Sequence, residues 1–288
     1  MIFRGSGVAL VTPFNEDLSV NYEKLKELIN YHIENKTDAI IILGTTGESA
    51  SLTDEEKHKI IDFSIKLTKG KIPLIVGTGS NDTKHAIELS KYAASKGVDG
   101  LLVVTPYYNK CSQEGLYLHY KEIAEAVDIP IILYNVPSRT KVDIEVETIK
   151  RLSQFKNIVG IKEATDDVAK IIKIKCLNLE NFAIYSGNDD LTLPILSFGG
   201  DGVISVLANI KPKVVHEICN LYFNGKDNEA KTLFLENFKL AKALFCDVNP
   251  IPVKFAMNEL GMNVGSLRLP LCETSDENKK IIKDALNN

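Results

Sequence analysis

Eight short apolar runs, separated by amphipathic stretches, constrain the fold of this chain more than any other sequence feature. The runs are rich in Val, Ile and Leu and lie at 7–13, 39–44, 73–79, 100–106, 129–135, 158–162, 182–187 and 202–208. Such continuous hydrophobicity is typical of parallel strands that helices cover on the outer face of a sheet. Eight strands that alternate with helices predict an α/β fold, a (β/α)8 TIM barrel.

Helical patterns between and after these runs complete the predicted organisation. They occupy 22–35, 54–67 and 84–96, and Thr53 with Glu56 forms a plausible capping box before the second of them. From about residue 211 only helical patterns continue, at 253–261 and 276–286 among others. We therefore expect a catalytic barrel at 1–225 and a C-terminal helical appendage at 226–288, packed on the barrel. A doubly wound sheet is the alternative, but no GxGxxG or P-loop motif follows the first run.

Composition excludes several classes of function. The 288 residues carry a net charge of −4 with a pI near 5.8. This charge does not indicate a positive surface that would bind nucleic acid or an anionic membrane. The apolar runs are too short to cross a bilayer, and the N-terminus lacks the apolar segment of a signal peptide. Five scattered cysteines and five histidines form no metal-binding pattern. We expect a cytoplasmic protein without metal or cofactor.

Polar residues at the ends of the predicted strands indicate where chemistry could occur. In a barrel of this kind the active site lies at the carboxyl ends of the strands. These ends carry GTTGES (44–49), TPYYN (105–109), YNVPSRT (134–140) and Lys162. Because side chains alternate along a strand, Lys162 should share a face with Gly160 and Ile158. If these faces point inward, Lys162 meets Tyr134 and Thr45 over the barrel mouth.

A lysine at the end of a buried strand favours one kind of chemistry. Desolvation lowers the pKa of a lysine from its ordinary value of about 10.4, and the free amine can then attack a carbonyl. A nearby phenol can move protons if other hydroxyls relay them, and Tyr134, Thr45 and a second tyrosine could supply that relay. Plainer interpretations remain for each residue: Lys162 in solvent, Tyr134 in the core, GTTGES as an ordinary turn and Arg139 as a solvent-facing charge.

The same segments resemble the dihydrodipicolinate synthase family, whose members are lysine-imine enzymes on a TIM barrel. The resemblance runs through almost the whole chain and includes ALVTPF (9–14), LGTTGESA (43–50), GTGSN (77–81), VTPYYNK (104–110), ILYNVPSRT (132–140), GIKEAT (160–165), GGDGVISV (199–206), NPIPVKFAMNELG (249–261) and LRLP (267–270). It implies that pyruvate condenses with L-aspartate 4-semialdehyde, followed by ring closure, on the route to diaminopimelate and lysine.

The resemblance also implies a role for individual residues. Lys162 matches the lysine that forms the Schiff base with pyruvate, and Tyr134 matches the proton donor and acceptor. Thr45 and Tyr108 match the other hydroxyls of the relay.

Three further positions match substrate contacts. Thr46 matches the residue that holds the pyruvate carboxylate, and Ile204 matches a further pyruvate contact. Arg139 matches the group that receives the carboxylate of the semialdehyde. No metal and no cofactor are implied.

Two other functions are weighed against this one. An N-acetylneuraminate or keto-deoxy-sugar-acid lyase would share the imine, but Arg139 just past Tyr134 suits a small carboxylated aldehyde better than a polyol. A non-catalytic barrel that binds keto acids or a partner protein would be expected to lose Lys162 or Tyr134, and both are present.

The resemblance extends to assembly and regulation. In the family, the tyrosine at position 108 reaches into the neighbouring protomer, which implies a homo-oligomer, either a tetramer built as a dimer of dimers or a dimer. Lysine-inhibited members bind lysine in a cleft at the subunit interface, and this sequence matches that cleft at Ser49, Ala50, Asn81 and Tyr107.

The sequence departs from the inhibited members at three positions of the same cleft. Asp54 and Lys57 replace histidines, and His85 replaces a glutamate. A ligand ammonium in a semi-buried cleft needs a carboxylate to offset its desolvation, so we expect lysine to inhibit weakly or not at all. Asp54 could instead supply the missing carboxylate.

Overall fold

Eight parallel strands follow one another around a closed barrel in the order of the chain. The computed structural model describes residues 1–287. The strands are β1 (Gly5–Ala9), β2 (Ala39–Ile42), β3 (Leu74–Gly77), β4 (Gly100–Val104), β5 (Ile131–Asn135), β6 (Ile158–Glu163), β7 (Ala183–Ser186) and β8 (Gly202–Ser205). Strand β8 pairs with β1 and closes the barrel, so the predicted TIM-barrel fold is confirmed.

Twelve helices within residues 1–287 surround and extend this barrel. They are α1 (Tyr22–Glu34), α2 (Asp54–Thr68), α3 (Thr83–Ser95), α4 (Gln113–Ala126), α5 (Pro137–Thr140), α6 (Val146–Leu152), α7 (Val168–Cys176), α8 (Thr192–Ser197), α9 (Pro212–Phe223), α10 (Asp227–Ala243), α11 (Ile251–Glu259) and α12 (Asp276–Leu286). The predicted capping box is present, with Glu56 N donating to Thr53 Oγ1 at 3.2 Å and Thr53 N donating to Glu56 Oε2 at 2.9 Å.

The strands bury side chains on both faces and so separate two apolar clusters. The inner cluster fills the barrel and includes Ile41, Ile132 and Ile204. The outer, larger cluster lies between strands and helices and includes Ile40, Leu133 and Ile161. Because both faces of the strands are buried, their sequences are continuous apolar runs rather than alternating apolar and polar residues.

Most strands end two or more residues before their apolar runs do. The second run continues to residue 44, but β2 ends at Ile42 and Leu43 adopts a left-handed φ of 56°. The last run continues to residue 208, but after β8 the chain forms a short 3₁₀ turn at Leu207–Asn209. These apolar residues are buried in loops at the barrel mouth rather than in the ladder, so hydrophobicity alone places the strand ends too late.

The position of Ile158 differs from the alternation expected along β6. Ile158 pairs with Ile131, but Gly160 pairs with Ile132, so the register shifts at Val159. As a consequence Ile158 belongs to the outer cluster, and the expectation that it shares a face with Lys162 is wrong. Gly160 remains on the inner face of β6, because it pairs with Ile132 of the inner cluster. A Cβ there would lie 2.5 Å from the carbonyl oxygen of Ala183, so glycine permits the close approach of β7.

Aspartates stabilise the opposite, amino-terminal end of the barrel. Asp38 accepts a hydrogen bond from Ser6 N at 2.7 Å, Asp99 from Leu74 N at 2.8 Å and Asp201 from Ile184 N at 2.9 Å. Each carboxylate therefore bonds the backbone of the strand that precedes its own in the chain. Their role is in folding and leaves the carboxyl ends of the strands for the site.

The C-terminal helices pack on the barrel and on one another. Helix α10 contacts α8, α9 and α12, and α11 contacts α12. The predicted boundary at residue 225 falls on Gly225, in the turn between α9 and α10, and the division into two units stays a prediction. No helix within residues 1–287 is long and apolar enough to cross a membrane.

Candidate active site

A cavity of about 180 Å³ opens at the carboxyl ends of the strands and is closed on one side by the chain between α10 and α11. Strands β5 and β6 and the segments after β2, β7 and β8 contribute to it. Its lining consists of Thr46, Tyr134, Val136, Ser138, Arg139, Lys162, Ala164, Gly187, Asn188, Val206, Phe245, Asp247, Val248 and Asn249. The cavity thus combines an apolar floor with several polar groups, as is typical of small-molecule sites.

Lys162 lies next to the carboxyl end of β6 and is 5% exposed, so it does not point into bulk water. It is in register with Tyr134 on β5 and Tyr185 on β7. Its Nζ lies 4.4 Å from the centroid of the Tyr134 ring. Lys162 and Tyr134 therefore lie side by side on adjacent strands, and both line the cavity.

Thr46 and Arg139 lie in different segments and reach the same cavity. Thr46 is buried in the loop after β2, and its Oγ1 accepts a hydrogen bond from Asn249 Nδ2 at 3.0 Å. Arg139 follows β5 in the short helix α5, and its Nη2 donates to the main-chain oxygen of Asn249 at 2.9 Å. Arg139 is exposed, but this hydrogen bond orients its guanidinium at the cavity.

Three of the predicted site residues lie outside the cavity lining. Thr45 is half-buried on the loop after β2, next to Thr46. Ile204 lies on β8 in the inner cluster that also contains Tyr134. Tyr108 is 91% exposed and has a φ of 73°, so it projects away from its own cavity. The fold of one chain therefore brings together four of the seven predicted residues.

Asp189 is a buried carboxyl group near Lys162 that no sequence pattern marked as a site residue. Its carboxylate accepts hydrogen bonds from Val206 N at 2.9 Å and Leu207 N at 3.0 Å, as well as from the Ser205 hydroxyl. Burial raises the pKa of Asp189, while these hydrogen bonds and the nearby Lys162 charge act in the opposite direction. Asp189 therefore fixes the end of β8 against the loop after β7.

A second buried polar network lies on the outer side of the same strand ends. Glu163, next to Lys162, accepts a hydrogen bond from Asn135 at 2.7 Å and pairs with Lys170 at 3.2 Å. Lys170 also pairs with Asp143. Burial raises the pKa of Glu163 to about 7, and the Lys170 charge opposes that rise. The network ties β5, β6 and α7 together directly behind Tyr134 and Lys162.

Several residues of the cavity were not selected from the sequence. Asn188 follows β7, so the rule that sites lie at strand ends could have found it. Asp247 and Asn249 lie in the C-terminal region, where no strand precedes them. Asn249 is the first residue of NPIPVKFAMNELG (249–261), so this motif was the signal that could have found it. Within residues 1–287, no group of three or more His, Cys, Asp or Glu side chains is arranged to hold a metal ion.

Comparison with known proteins identifies the family of this barrel. The profile of the Dihydrodipicolinate synthetase family matches residues 2–288. The chain belongs to this family. The resemblance found in the motifs is thereby confirmed, and the chain is an enzyme of the dihydrodipicolinate synthase family.

Individual relatives agree with this assignment. Two are named 4-hydroxy-tetrahydrodipicolinate synthase. The one from Thermoanaerobacter sp. (strain X514) is 55% identical, with 99% of this chain and 96% of the relative covered. The one from Clostridium novyi (strain NT) is 51% identical, with 100% and 97% covered. The crystal structure of dihydrodipicolinate synthase from Aquifex aeolicus matches with a TM-score of 0.96 and 47% identity, covering 99% of this chain and 97% of that one. The names agree with the predicted synthase rather than with a sugar-acid lyase.

Proposed function

We propose that this enzyme condenses pyruvate with L-aspartate 4-semialdehyde through an imine on Lys162, as a 4-hydroxy-tetrahydrodipicolinate synthase. The observation that carries the proposal is the position of Lys162, buried beside Tyr134 in a cavity at the carboxyl ends of the strands. The names of the two relatives support the same reaction.

The neighbours of Lys162 fit the steps of that reaction. The amine of Lys162 attacks the keto carbon of pyruvate, whose oxygen leaves as water, and an imine forms. Loss of a methyl proton gives an enamine, which attacks the aldehyde carbon of the second substrate. Tyr134, whose ring lies 4.4 Å from Lys162 Nζ, is the proton donor and acceptor for these steps. The amine of the second substrate then displaces Lys162 and closes the ring.

Two separate groups receive the two carboxylates. Thr46 is buried at the inner end of the cavity and holds the carboxylate of pyruvate. Arg139 is exposed at the rim and receives the carboxylate of the semialdehyde, since a guanidinium offers a bidentate donor pair. Ile204, which is buried in the same inner cluster as Tyr134, is an apolar pyruvate contact, and Thr45 serves in the hydroxyl relay.

Trapping the imine tests this proposal directly. The protein is incubated with pyruvate, reduced with borohydride, weighed and mapped by peptide analysis. We expect one adduct per chain, at Lys162. Lys57→Ala is the matched control because Lys57 is another largely buried lysine and lies outside the cavity lining. This variant should keep the adduct and Lys162→Ala should lose it. An adduct that persists in Lys162→Ala would contradict the proposal.

The active form is an oligomer, and Tyr108 completes the site of a neighbouring subunit. Support comes from the placement of Tyr108, 91% exposed and outside its own cavity, together with the half-exposed Tyr107 beside it. A second set of exposed apolar side chains lies on α7 and α10 and directly after α8, and it fits a further contact between copies. It consists of Ile172, Phe198, Leu235 and Phe238. A dimer of dimers would use both surfaces.

Lysine does not regulate this enzyme, or does so weakly. Asp54, the carboxylate that could receive a lysine ammonium, is already paired with Lys57 Nζ at 3.1 Å and with His85 Nε2 at 3.0 Å. The hydrogen bond to Lys57 holds the pKa of Asp54 below its ordinary value. A ligand ammonium would have to compete with these two groups for the carboxylate. We also infer a cytoplasmic location, because the five cysteines are free and the reaction belongs to amino-acid biosynthesis.

A further inference from the structure

Asn249 contacts two side chains that the proposed function assigns to different substrates. Its side-chain Nδ2 donates to Thr46 Oγ1 at 3.0 Å. Its main-chain oxygen accepts from Arg139 Nη2 at 2.9 Å. Asn249 itself is 6% exposed and lines the cavity. A single residue therefore joins the inner and the outer carboxylate positions.

The hydrogen bond from Asn249 determines in which direction the Thr46 hydroxyl can donate its own hydrogen. A hydroxyl has one hydrogen to donate and lone pairs to accept with. Because Oγ1 accepts from Asn249, the hydrogen of Thr46 is directed elsewhere, and no protein group within residues 1–287 accepts it. That hydrogen is available to a carboxylate in the cavity.

The other atom of the Asn249 amide has no partner in the part of the chain that the structure describes, although the residue borders the cavity. Its Oδ1 is buried and has no hydrogen-bond partner among residues 1–287. A buried amide with an unpaired oxygen lowers stability rather than raising it. An unpaired amide oxygen on a residue that lines the cavity favours a role of Asn249 toward the cavity.

The contact with Arg139 has a different chemical basis. It uses the main-chain oxygen of Asn249, which every amino acid would supply. The position of this carbonyl depends on the backbone between α10 and α11. Lys254 on α11 fixes that backbone, since its Nζ donates to Glu48, two residues beyond Thr46 on the same loop, at 2.8 Å.

We propose that Asn249 is a positioning residue with two separable roles: its side chain orients the Thr46 hydroxyl toward the pyruvate carboxylate, and its main chain orients Arg139 toward the second carboxylate. The inference rests on the proposed function. It predicts that removing the side chain affects one substrate only.

Steady-state kinetics of Asn249→Ala test this separation. We expect the KM for pyruvate to rise about tenfold, the effect of losing one hydrogen bond to a charged ligand. The KM for the semialdehyde should stay within about twofold, because the main-chain contact with Arg139 remains. If both KM values rise together, Asn249 has only a structural role and the inference is wrong.

Three further variants make the test specific. The double variant Thr46→Val/Asn249→Ala should have the same pyruvate KM as Thr46→Val alone, because Asn249 has no hydroxyl left to orient once Thr46 is valine, and additive effects would contradict the inference. Asn249→Asp keeps the size of the side chain, but its carboxylate accepts the Thr46 hydrogen and repels the pyruvate carboxylate, so it should also raise the pyruvate KM. An unchanged pyruvate KM in Asn249→Asp would contradict the inference.

Asn237→Ala is the matched control. Asn237 is an equally buried asparagine of the C-terminal region, where it bonds Lys211 at 3.0 Å, and it lies outside this cavity. We expect Asn237→Ala to change neither KM. The two proposals can be separated by the borohydride experiment. A wild-type protein without an adduct would overturn both, whereas a normal adduct with unselective Asn249 variants would overturn the positioning role alone.

Discussion

Lys254 Nζ donates to Glu48 Oε1 at 2.8 Å, in an ion pair whose two residues are 1% and 4% exposed. The pair joins α11 to the loop that carries Thr45 and Thr46. Lys254 also donates to Ser266 O, and Glu48 also accepts from Arg268 N, so each charge has a second partner. Burial lowers the pKa of Lys254, and the Glu48 charge opposes that shift. The C-terminal region is thereby fixed to the loop after β2.

Removing one charge of this pair should strongly destabilise the protein. Lys254→Met leaves Glu48 buried without its cation, and we expect a loss of about 3–5 kcal/mol in the free energy of unfolding. Denaturant unfolding measures it. The double variant Glu48→Gln/Lys254→Met should recover part of the loss, because the uncompensated charge is gone. A single variant as stable as the wild type would show that the pair does not fix the loop.

Arg139 should act on the semialdehyde and not on pyruvate. Arg139→Ala removes a charge-assisted contact of about 2 kcal/mol, so we expect about a thirtyfold rise in the semialdehyde KM. Imine formation with pyruvate should be unchanged in the borohydride assay. Arg151→Ala is the control, since Arg151 is an arginine paired with Glu114 on the helical surface. Equal loss of both steps in Arg139→Ala would indicate a structural role.

Subunit mixing tests whether Tyr108 completes a neighbouring site. Inactive Tyr108→Phe and Lys162→Ala chains should regain up to a quarter of wild-type activity when mixed, since half of the dimers are then hybrids with one complete site. Tyr134→Phe mixed with Lys162→Ala should regain none, because these two residues line the cavity of the same chain. Full activity of a monomer in sedimentation and assay at one concentration would contradict the proposal.

Lysine should fail to inhibit the enzyme because Asp54 is already paired with Lys57 and His85. Steady-state assays with lysine up to tens of millimolar should show no saturable inhibition. An allosteric ligand acts only through its differential affinity for two states, and a cleft that does not bind it cannot transmit a signal. Strong, saturable inhibition at sub-millimolar lysine would mean that Asp54 receives the ligand after all.

Glu163 should make stability depend on pH. Its pKa is about 7 in the folded protein and ordinarily 4.5, so the unfolded state loses this proton first. The contribution of Glu163 to the free energy of unfolding is therefore fully present below pH 4.5 and lost as pH rises to about 7. Relative to Glu163→Gln, the wild type should lose up to about 3 kcal/mol across this range. Denaturant unfolding at about pH 5 and about pH 8 measures the change, with exposed Glu180→Gln as control. A pH-independent difference would contradict it.

Local patterns in the sequence were sufficient to predict the strands and helices, apart from the exact strand ends, and the end of the barrel at which the candidate site lies. The helix predicted at 22–35 is Tyr22–Glu34, and that at 276–286 is Asp276–Leu286. Hydrophobic periodicity and caps act within a few residues, so a single segment contains the information. The same reasoning placed Lys162 and Tyr134 together, because adjacent strands of a barrel end at one mouth.

Only the tertiary structure decided which distant residues complete the site. Asn249 lies 203 positions from Thr46 and 110 from Arg139, and the motif that it begins, NPIPVKFAMNELG, does not indicate that it contacts either of them. The register shift at Val159, which moves Ile158 to the outer cluster, depends on how β5 and β6 pair. Sequence periodicity determines that a residue is buried, but it does not determine which other residues it packs against. The partners of Lys254, Asn249 and Ile158 follow from the closed geometry of the barrel and from the packing of the C-terminal helices upon it.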